Sequence, residues 1–162
     1  MSAITLVRRI KARPSIVFDA LTTDDGMAAW WGPDELPVIR AEIDATVGGA
    51  YRVRFRSRDG LEHEASGTIL ELVPQHRIVM TYQYTHAGEP AEHGRTSRVE
   101  FELEAAAGGT VLTFTHTDLA DEVSARSHTS GWTGAFDKLV RETENVERAG
   151  VRPGVHRGEE QW

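Results

Sequence analysis

Three features of the 162-residue chain predict an α+β fold in which an antiparallel sheet is covered by one long C-terminal helix. Between Pro37 and Thr117, successive stretches alternate apolar and polar residues with period two, the signature of half-buried strands. Turn chemistry separates them: Gly48-Gly49, Asp59-Gly60, Val73-Pro74-Gln75 and Ala107-Gly108-Gly109. Beyond them Trp132, Phe136, Leu139, Val140, Thr143 and Val146 fall at offsets of 4, 7, 8, 11 and 14, one stripe of an α-helix. A sheet with one apolar face needs a cover, and this helix supplies it.

Taken in order, residues 3–11 alternate Ile4, Leu6, Arg8 and Ile10 against Thr5, Val7, Arg9 and Lys11, which predicts a first strand. Pro14 suits a helix start, and Ile16, Val17, Ala20 and Leu21 form a short helical face. Thr23-Asp24-Asp25 is a cap-like cluster opening a second short helix that runs to Trp30. Trp30-Trp31-Gly32-Pro33 then breaks the chain, a loop expected to fold its indoles inward. Strands follow at 37–43, 50–57, 64–73, 77–85, 97–105 and 110–117, with the polar segment 86–95 read as a flexible hairpin loop. Short sequential strands with tight turns imply an antiparallel meander.

The last helix spans residues 123–148, with Gly150 where a C-terminal glycine is expected and Pro153 beyond. Its opposite face, Asp137, Lys138, Arg141, Glu142, Glu144 and Glu147, is expected to meet water. Gly131 and Gly134 each cost about 1 kcal/mol against alanine in a helix, which implies that the backbone there lies close to another surface. Residues 1–150 are read as one domain and 151–162 as a loose tail without periodicity.

Alternation assigns faces. Tyr51, Val53 and Phe55 oppose Arg52, Arg54 and Arg56; Ile78, Met80, Tyr82 and Tyr84 share a face. So do Val99, Phe101 and Leu103, and Leu112, Phe114 and His116. The inner face is rich in rings and should meet Trp132 and Phe136.

Composition narrows the function classes. Hydrophobic residues make up 40% and charged residues 27%, ordinary for a globular chain. Net charge is −7 with no basic block, which argues against a nucleic-acid surface. With no cysteine, thiolate catalysis, disulfides and Cys-ligated zinc are excluded. No apolar run reaches the ~20 residues of a membrane span, and residues 1–13 lack a signal-peptide core, so a cytoplasmic location is expected. Gly48-Gly49 has neither phosphate-loop spacing, and no nucleophile elbow, HExxH or Ser-His-Asp order occurs. No motif calls for a cofactor or metal.

Strand, two small helices, a six-strand meander and one long helix make the helix-grip arrangement. Val17-Phe18-Asp19-Ala20-Leu21-Thr22 precedes Trp30-Trp31-Gly32-Pro33. Val47-Gly48-Gly49-Ala50-Tyr51, Gly67-Thr68-Ile69-Leu70-Glu71 before Pro74, and Gly109-Thr110-Val111-Leu112-Thr113 follow, then His128 with Gly131-Trp132. Over residues 3–149 this order resembles the heat-shock-protein-90 ATPase activator homologue family of the START-like (polyketide cyclase and lipid-transport) superfamily. The resemblance implies a cavity between sheet and long helix, used in the superfamily for apolar ligands such as lipids, hormones and polyketides. The eukaryotic namesakes stimulate a chaperone ATPase through a larger protein with an additional N-terminal domain, which these 162 residues do not include.

The expected function is therefore binding of a small hydrophobic or aromatic molecule by Trp30, Trp31, Tyr51, Phe55, Tyr82, Phe101, Phe114, His116, His128, Trp132 and Phe136. It requires a void of about 300 Å³ or more. Trp30 and Trp31 either clamp a ligand at a cavity mouth or plug the core, the core reading being preferred for Trp31, and Trp132 and Phe136 are equally well read as core, because a pocket wall is also a core surface. His116 and His128 are placed either to bind a polar ligand end or act as general bases, or to be buried imidazoles bonded to backbone or water. His63, His76, His86 and His93 lie near turns and loops, where solvated side chains are expected. Arg52, Arg54 and Arg56 should pair with outward glutamates, and Glu71 reaches inward only if its strand bulges. A stress-related, chaperone-contacting protein and a cyclase- or hydrolase-like enzyme are the alternatives. A homodimer through an edge strand or a helix is a further expectation.

Overall fold

The computed structural model describes residues 2–33, 35–85, 92 and 94–150. Strand β1 (Ser2–Ile10) leads to helices α1 (Pro14–Thr22) and α2 (Asp24–Trp30). Strands β2 (Val38–Ile43), β3 (Ala50–Arg56), β4 (Glu62–Val73), β5 (Arg77–Thr85), β6 (Ser97–Ala106) and β7 (Gly109–Leu119) follow, then helix α3 (Glu122–Ala149). All neighbours pair antiparallel in one seven-stranded sheet of order β1-β7-β6-β5-β4-β3-β2. The chain thus meanders from β2 to β7 and lays β1 beside β7, leaving β1 and β2 as the edges. This is the helix-grip architecture, an α+β fold with α3 held against the inner face.

Local chemistry accounts for the helix ends. Pro14 opens α1, where its missing N–H costs nothing. Thr23 Oγ1 accepts from Gly26 N–H at 3.0 Å and caps α2, whose first turn carries Asp24 and Asp25. Asp121 accepts from Ser124 N–H at 2.8 Å at the start of α3. Gly150, at φ 70°, ends it by donating to Val146 and Glu147 carbonyls.

The two-residue period sorts the strands as expected: Tyr51, Val53, Phe55, Ile78, Met80, Tyr82, Val99, Phe101, Leu103, Leu112, Phe114 and His116 are buried. Outward Arg54 pairs with Glu62 at 2.9 Å, Arg56 with Glu62 at 3.0 Å and Arg52 with Glu64 at 3.6 Å, exposed contacts worth little to stability.

The polar face of α3 departs from expectation. Lys138 is only 5% exposed, and its ammonium donates to the Trp31 carbonyl at 3.2 Å. A lysine stem packs like an aliphatic chain, and a cation at the carbonyl end of a helix is stabilised by its dipole. Glu144 accepts from Lys11 N–H at 2.9 Å, and Glu147 accepts from Arg13 N–H at 3.0 Å while pairing with its guanidinium at 2.8 Å. These acids clasp the β1–α1 connection to the helix instead of simply facing water.

The two α3 glycines separate as well. A Cβ on Gly134 would lie 2.3 Å from the Pro33 carbonyl oxygen, so no side chain fits. On Gly131 the nearest atom is Pro33 Cβ at 4.0 Å, so close approach explains Gly134 alone.

Two contrasts test this packing by chemical denaturation. Gly134→Ala should destabilise despite the better helix propensity of alanine, whereas Gly131→Ala should stabilise by up to ~1 kcal/mol. Phe136→Ala, at a fully buried ring, should cost about 3–5 kcal/mol, and Val7→Thr on the exposed side of β1 less than about 0.5 kcal/mol.

Candidate functional site

The space between sheet and α3 is filled by the rings predicted to line it. Trp30 stacks on Phe136 at 5.7 Å between centroids, and Phe136 on Trp132 at 5.6 Å. Phe114 stands edge-on to Phe136 at 4.9 Å and 5.1 Å from its cross-strand partner Phe101. Trp30 Nε1 donates to the Ala20 carbonyl at 2.8 Å, and the Tyr51 hydroxyl to the Thr81 carbonyl at 2.7 Å. Both polar tips are thus satisfied inside protein, and burial pushes the Tyr51 phenol pKa well up. Trp30, Tyr51, Phe101, Phe114 and Phe136 are core, and none of them borders the cleft described next.

That cleft opens where α3 passes the Trp31-Gly32-Pro33 bend. Trp31, Phe55, Tyr82, His128 and Trp132 meet there, joined by Tyr84. Its volume is about 60 Å³, not the 300 Å³ or more expected of an internal apolar cavity. The correction has a simple cause: face assignment tells which rings point inward but not how completely their bulk closes the gap. Two larger hollows lie elsewhere. One of about 420 Å³ sits between α1, α2 and α3, and one of about 730 Å³ over β2, β3 and β4 beside Asp24 and Thr96.

The two inward histidines differ. His116 is fully buried, and its Nδ1 accepts from Trp132 Nε1–H at 3.1 Å. An indole N–H only donates, so His116 carries its proton on Nε2 and directs it to Ser97 Oγ at 2.8 Å. Ser97 in turn donates to the Tyr82 carbonyl at 3.2 Å. Every polar atom in that chain is engaged. Burial, and secondarily the neighbouring His128, hold His116 well below the usual imidazole range, so it stays neutral. It aims Trp132, and offers a ligand nothing.

His128 is 7% exposed and forms part of the cleft wall. Its Nδ1 lies 3.0 Å from the Ser124 carbonyl oxygen one turn back. Its Nε2 is buried and, among the described residues, has no hydrogen-bond partner.

A third polar group was hidden in the sequence. Glu92, inside the segment read as a flexible loop, is only 3% exposed. Its Oε2 accepts from Ala120 N–H at 2.9 Å and in a short contact from Ser124 Oγ–H. No periodicity marks an isolated glutamate between two turns, so only the tertiary structure reveals it. His63 also departs from the solvated side chain expected of it. It is buried, stacked on Phe55 at 4.9 Å, with Nδ1 2.5 Å from the Tyr84 hydroxyl and Nε2 2.8 Å from Ser57 Oγ. Strand β4 begins two residues earlier than expected, which brings His63 to the inner parity opposite Phe55. His76 is exposed, while His86 and His93 lie outside the described residues, as does the tail 151–162. Glu71 pairs outward with Arg77 at 3.2 Å, although a bulge does fall between Ile69 and Glu71.

Among the described residues no cluster of three or more acidic, histidine or cysteine side chains is placed to hold a metal, and no helix is long and apolar enough to cross a membrane.

A curved antiparallel sheet gripping a C-terminal helix, with a small aromatic cleft at its open end, defines a START-like protein. The profile of the family described as activator of Hsp90 ATPase homolog 1-like protein matches residues 11–144, and the chain belongs to that family. No curated protein matches it. Among solved structures, a Chromobacterium violaceum protein is similar over 89% of this chain and 99% of its own, at 25% identity and TM-score 0.74. An AHSA1-like protein from Aeromonas hydrophila covers 96% and 99% at 20% identity and TM-score 0.73. An AHSA1 protein from Silicibacter pomeroyi covers 87% and 96% at 23% identity and TM-score 0.74.

The neutral burial of His116 predicts acid sensitivity with a definite sign. Unfolded, the imidazole takes up its proton near the ordinary value of 6.5; folded, it does so only well below that. Its contribution is therefore complete above pH about 6.5 and is lost as pH falls beneath it, by at most ~1.4 kcal/mol per pH unit. Urea denaturation between pH 7.5 and 5 should show this slope, and His116→Phe, though less stable overall, should show a shallower one.

Proposed function

We propose that this protein binds a small aromatic or planar apolar molecule in the cleft walled by Trp31, Phe55, Tyr82, Tyr84, His128 and Trp132. The observation that carries the reading is the meeting of these rings around a gap beside a buried nitrogen that, among the described residues, has no hydrogen-bond partner. Aromatic walls suit aromatic guests through offset and edge-on contacts. A gap of about 60 Å³ is well below the ~150 Å³ of a cavity that takes up benzene whole, so the guest is at most of single-ring size and sits partly in the cleft and partly at its mouth. Long-chain lipids and multi-ring polyketides, which the wider superfamily accommodates, exceed it. The family is consistent with apolar ligand binding in this region.

No single observation favours a chaperone contact. Among the described residues the exposed large apolar side chains are Val7, Leu36, Ile39, Val47, Leu61, Leu70, Val73 and Val123, drawn from β1, the approach to β2 and β2 itself, two turns, β4 and the start of α3.

Titration with toluene, followed by Trp fluorescence, tests the proposal, because Trp31 and Trp132 wall the cleft. Saturable quenching is expected. Gly131→Leu, which projects a side chain into the gap where a Cβ meets nothing closer than 4.0 Å, should weaken binding more than about tenfold with the fold intact. Failure of toluene and of phenol alike to saturate, or equal affinity in Gly131→Leu, would remove this function.

A further inference from the structure

The proton inventory around His128 says which single-ring compounds the cleft prefers; this deepens the binding reading above and rests on it. Nδ1 of His128 faces the Ser124 carbonyl oxygen at 3.0 Å and Ser124 Oγ at 3.4 Å. A carbonyl oxygen only accepts, so Nδ1 carries the proton. The hydroxyl proton of Ser124 is committed to Glu92 Oε2, which leaves its oxygen as a second acceptor toward the ring. In the neutral imidazole the other nitrogen is then bare. Nε2 is an acceptor, it is buried, and none of the described residues serves it.

The neighbours cannot supply the missing proton. His116 stands 5.3 Å away between centroids with both nitrogens engaged. The Tyr84 ring, 5.2 Å away, has its hydroxyl on His63 Nδ1. His63 Nε2 faces Ser57 Oγ, whose own proton goes to Asp59, so His63 donates from Nε2 and accepts the Tyr84 proton at Nδ1. Tyr82 packs edge-on to His128 at 5.7 Å. A buried acceptor in a ring-lined wall is unfavourable while unpaired. A guest that donates to it removes that penalty; a guest of the same shape without a donor does not.

We propose that His128 Nε2 is the polar anchor of the cleft and selects phenol-class ligands, single rings bearing a hydroxyl donor, over ethers and plain hydrocarbons of equal size. Glu92 acts as a positioning residue, holding Ser124 and through it the Nδ1–H form of His128. The rings that cover Nε2, which has under 1 Å² of exposed surface, part on binding so that the hydroxyl hydrogen-bonds to it, and the guest's ring packs among Phe55, Tyr82, Tyr84 and Trp132.

The test compares phenol, anisole and toluene on the unaltered protein with ¹⁵N-labelled histidine. Before ligand, at neutral pH, His128 should show a proton on Nδ1 and a bare Nε2. Phenol should bind about tenfold or more tightly than anisole and shift the Nε2 resonance. In His128→Leu that preference should vanish while toluene still binds, which also verifies the fold; His128→Gln, whose amide oxygen reaches toward the Nε2 position, should retain part of it. Equal affinity for phenol and anisole, or a phenol complex that leaves Nε2 unmoved, would overturn donor selection and leave the cleft reading standing. Failure of all three probes to bind would remove both.

Discussion

The stacked rings of Trp30, Trp132 and Phe136, closed from the sheet side by Phe101 and Phe114, are the constraint to which the other features of the molecule answer. They come from α2, α3, β6 and β7, so one apolar mass joins the helices to the sheet. Burying so many aromatic side chains supplies the dominant favourable term in folding, since each removes a large apolar area from water. The same bulk consumes the volume that the helix-grip layout leaves between its layers. What survives is a cleft at the edge of the stack, where Trp31 turns out of α2 and Gly134 lets the α3 backbone pass against Pro33.

Polar atoms inside this mass are arranged so that nearly all are engaged, as burial demands. Trp30 is satisfied by the Ala20 carbonyl, Trp132 by His116, and His116 by Ser97. Lys138 closes the C-terminal end of α2 through the Trp31 carbonyl. Against that background one ring nitrogen in the cleft wall, without a hydrogen-bond partner among the described residues, is informative. Its partner Nδ1 is held by a chain running through Ser124 to the buried carboxylate of Glu92. The arrangement holds the Nδ1 proton of His128 toward Ser124 and leaves Nε2 as an acceptor among the rings.

Much of the fold was legible because it depends on local periodicity. The period-two stretches located β3, β5 and β6 closely, and parity named the inward residues from Tyr51 to His116. Thr23, Pro14 and Gly150 marked helix ends through backbone chemistry that a sequence carries on its face. The site was less legible for three physical reasons. Periodicity assigns direction but not packing density, so rings expected to surround a cavity fill it instead. Helical phase treats Lys138 as a charge, whereas its stem behaves as an aliphatic side chain whose ammonium finds a carbonyl. Glu92 and His63 are buried by contacts with residues 32 and 21 positions away, which no local window contains.

Because the central claim concerns filled volume, the size of what the protein carries tests it most directly. Native mass spectrometry of the protein purified without added ligand, followed by denaturation and mass analysis of anything released, gives that size. The account predicts either the mass of the bare chain or a released compound of single-ring size. A stoichiometric long-chain lipid or multi-ring compound lodged between the sheet and α3, and not in the hollow between α1, α2 and α3, would contradict it, since there such a guest requires the stack of Trp30, Trp132 and Phe136 to be open.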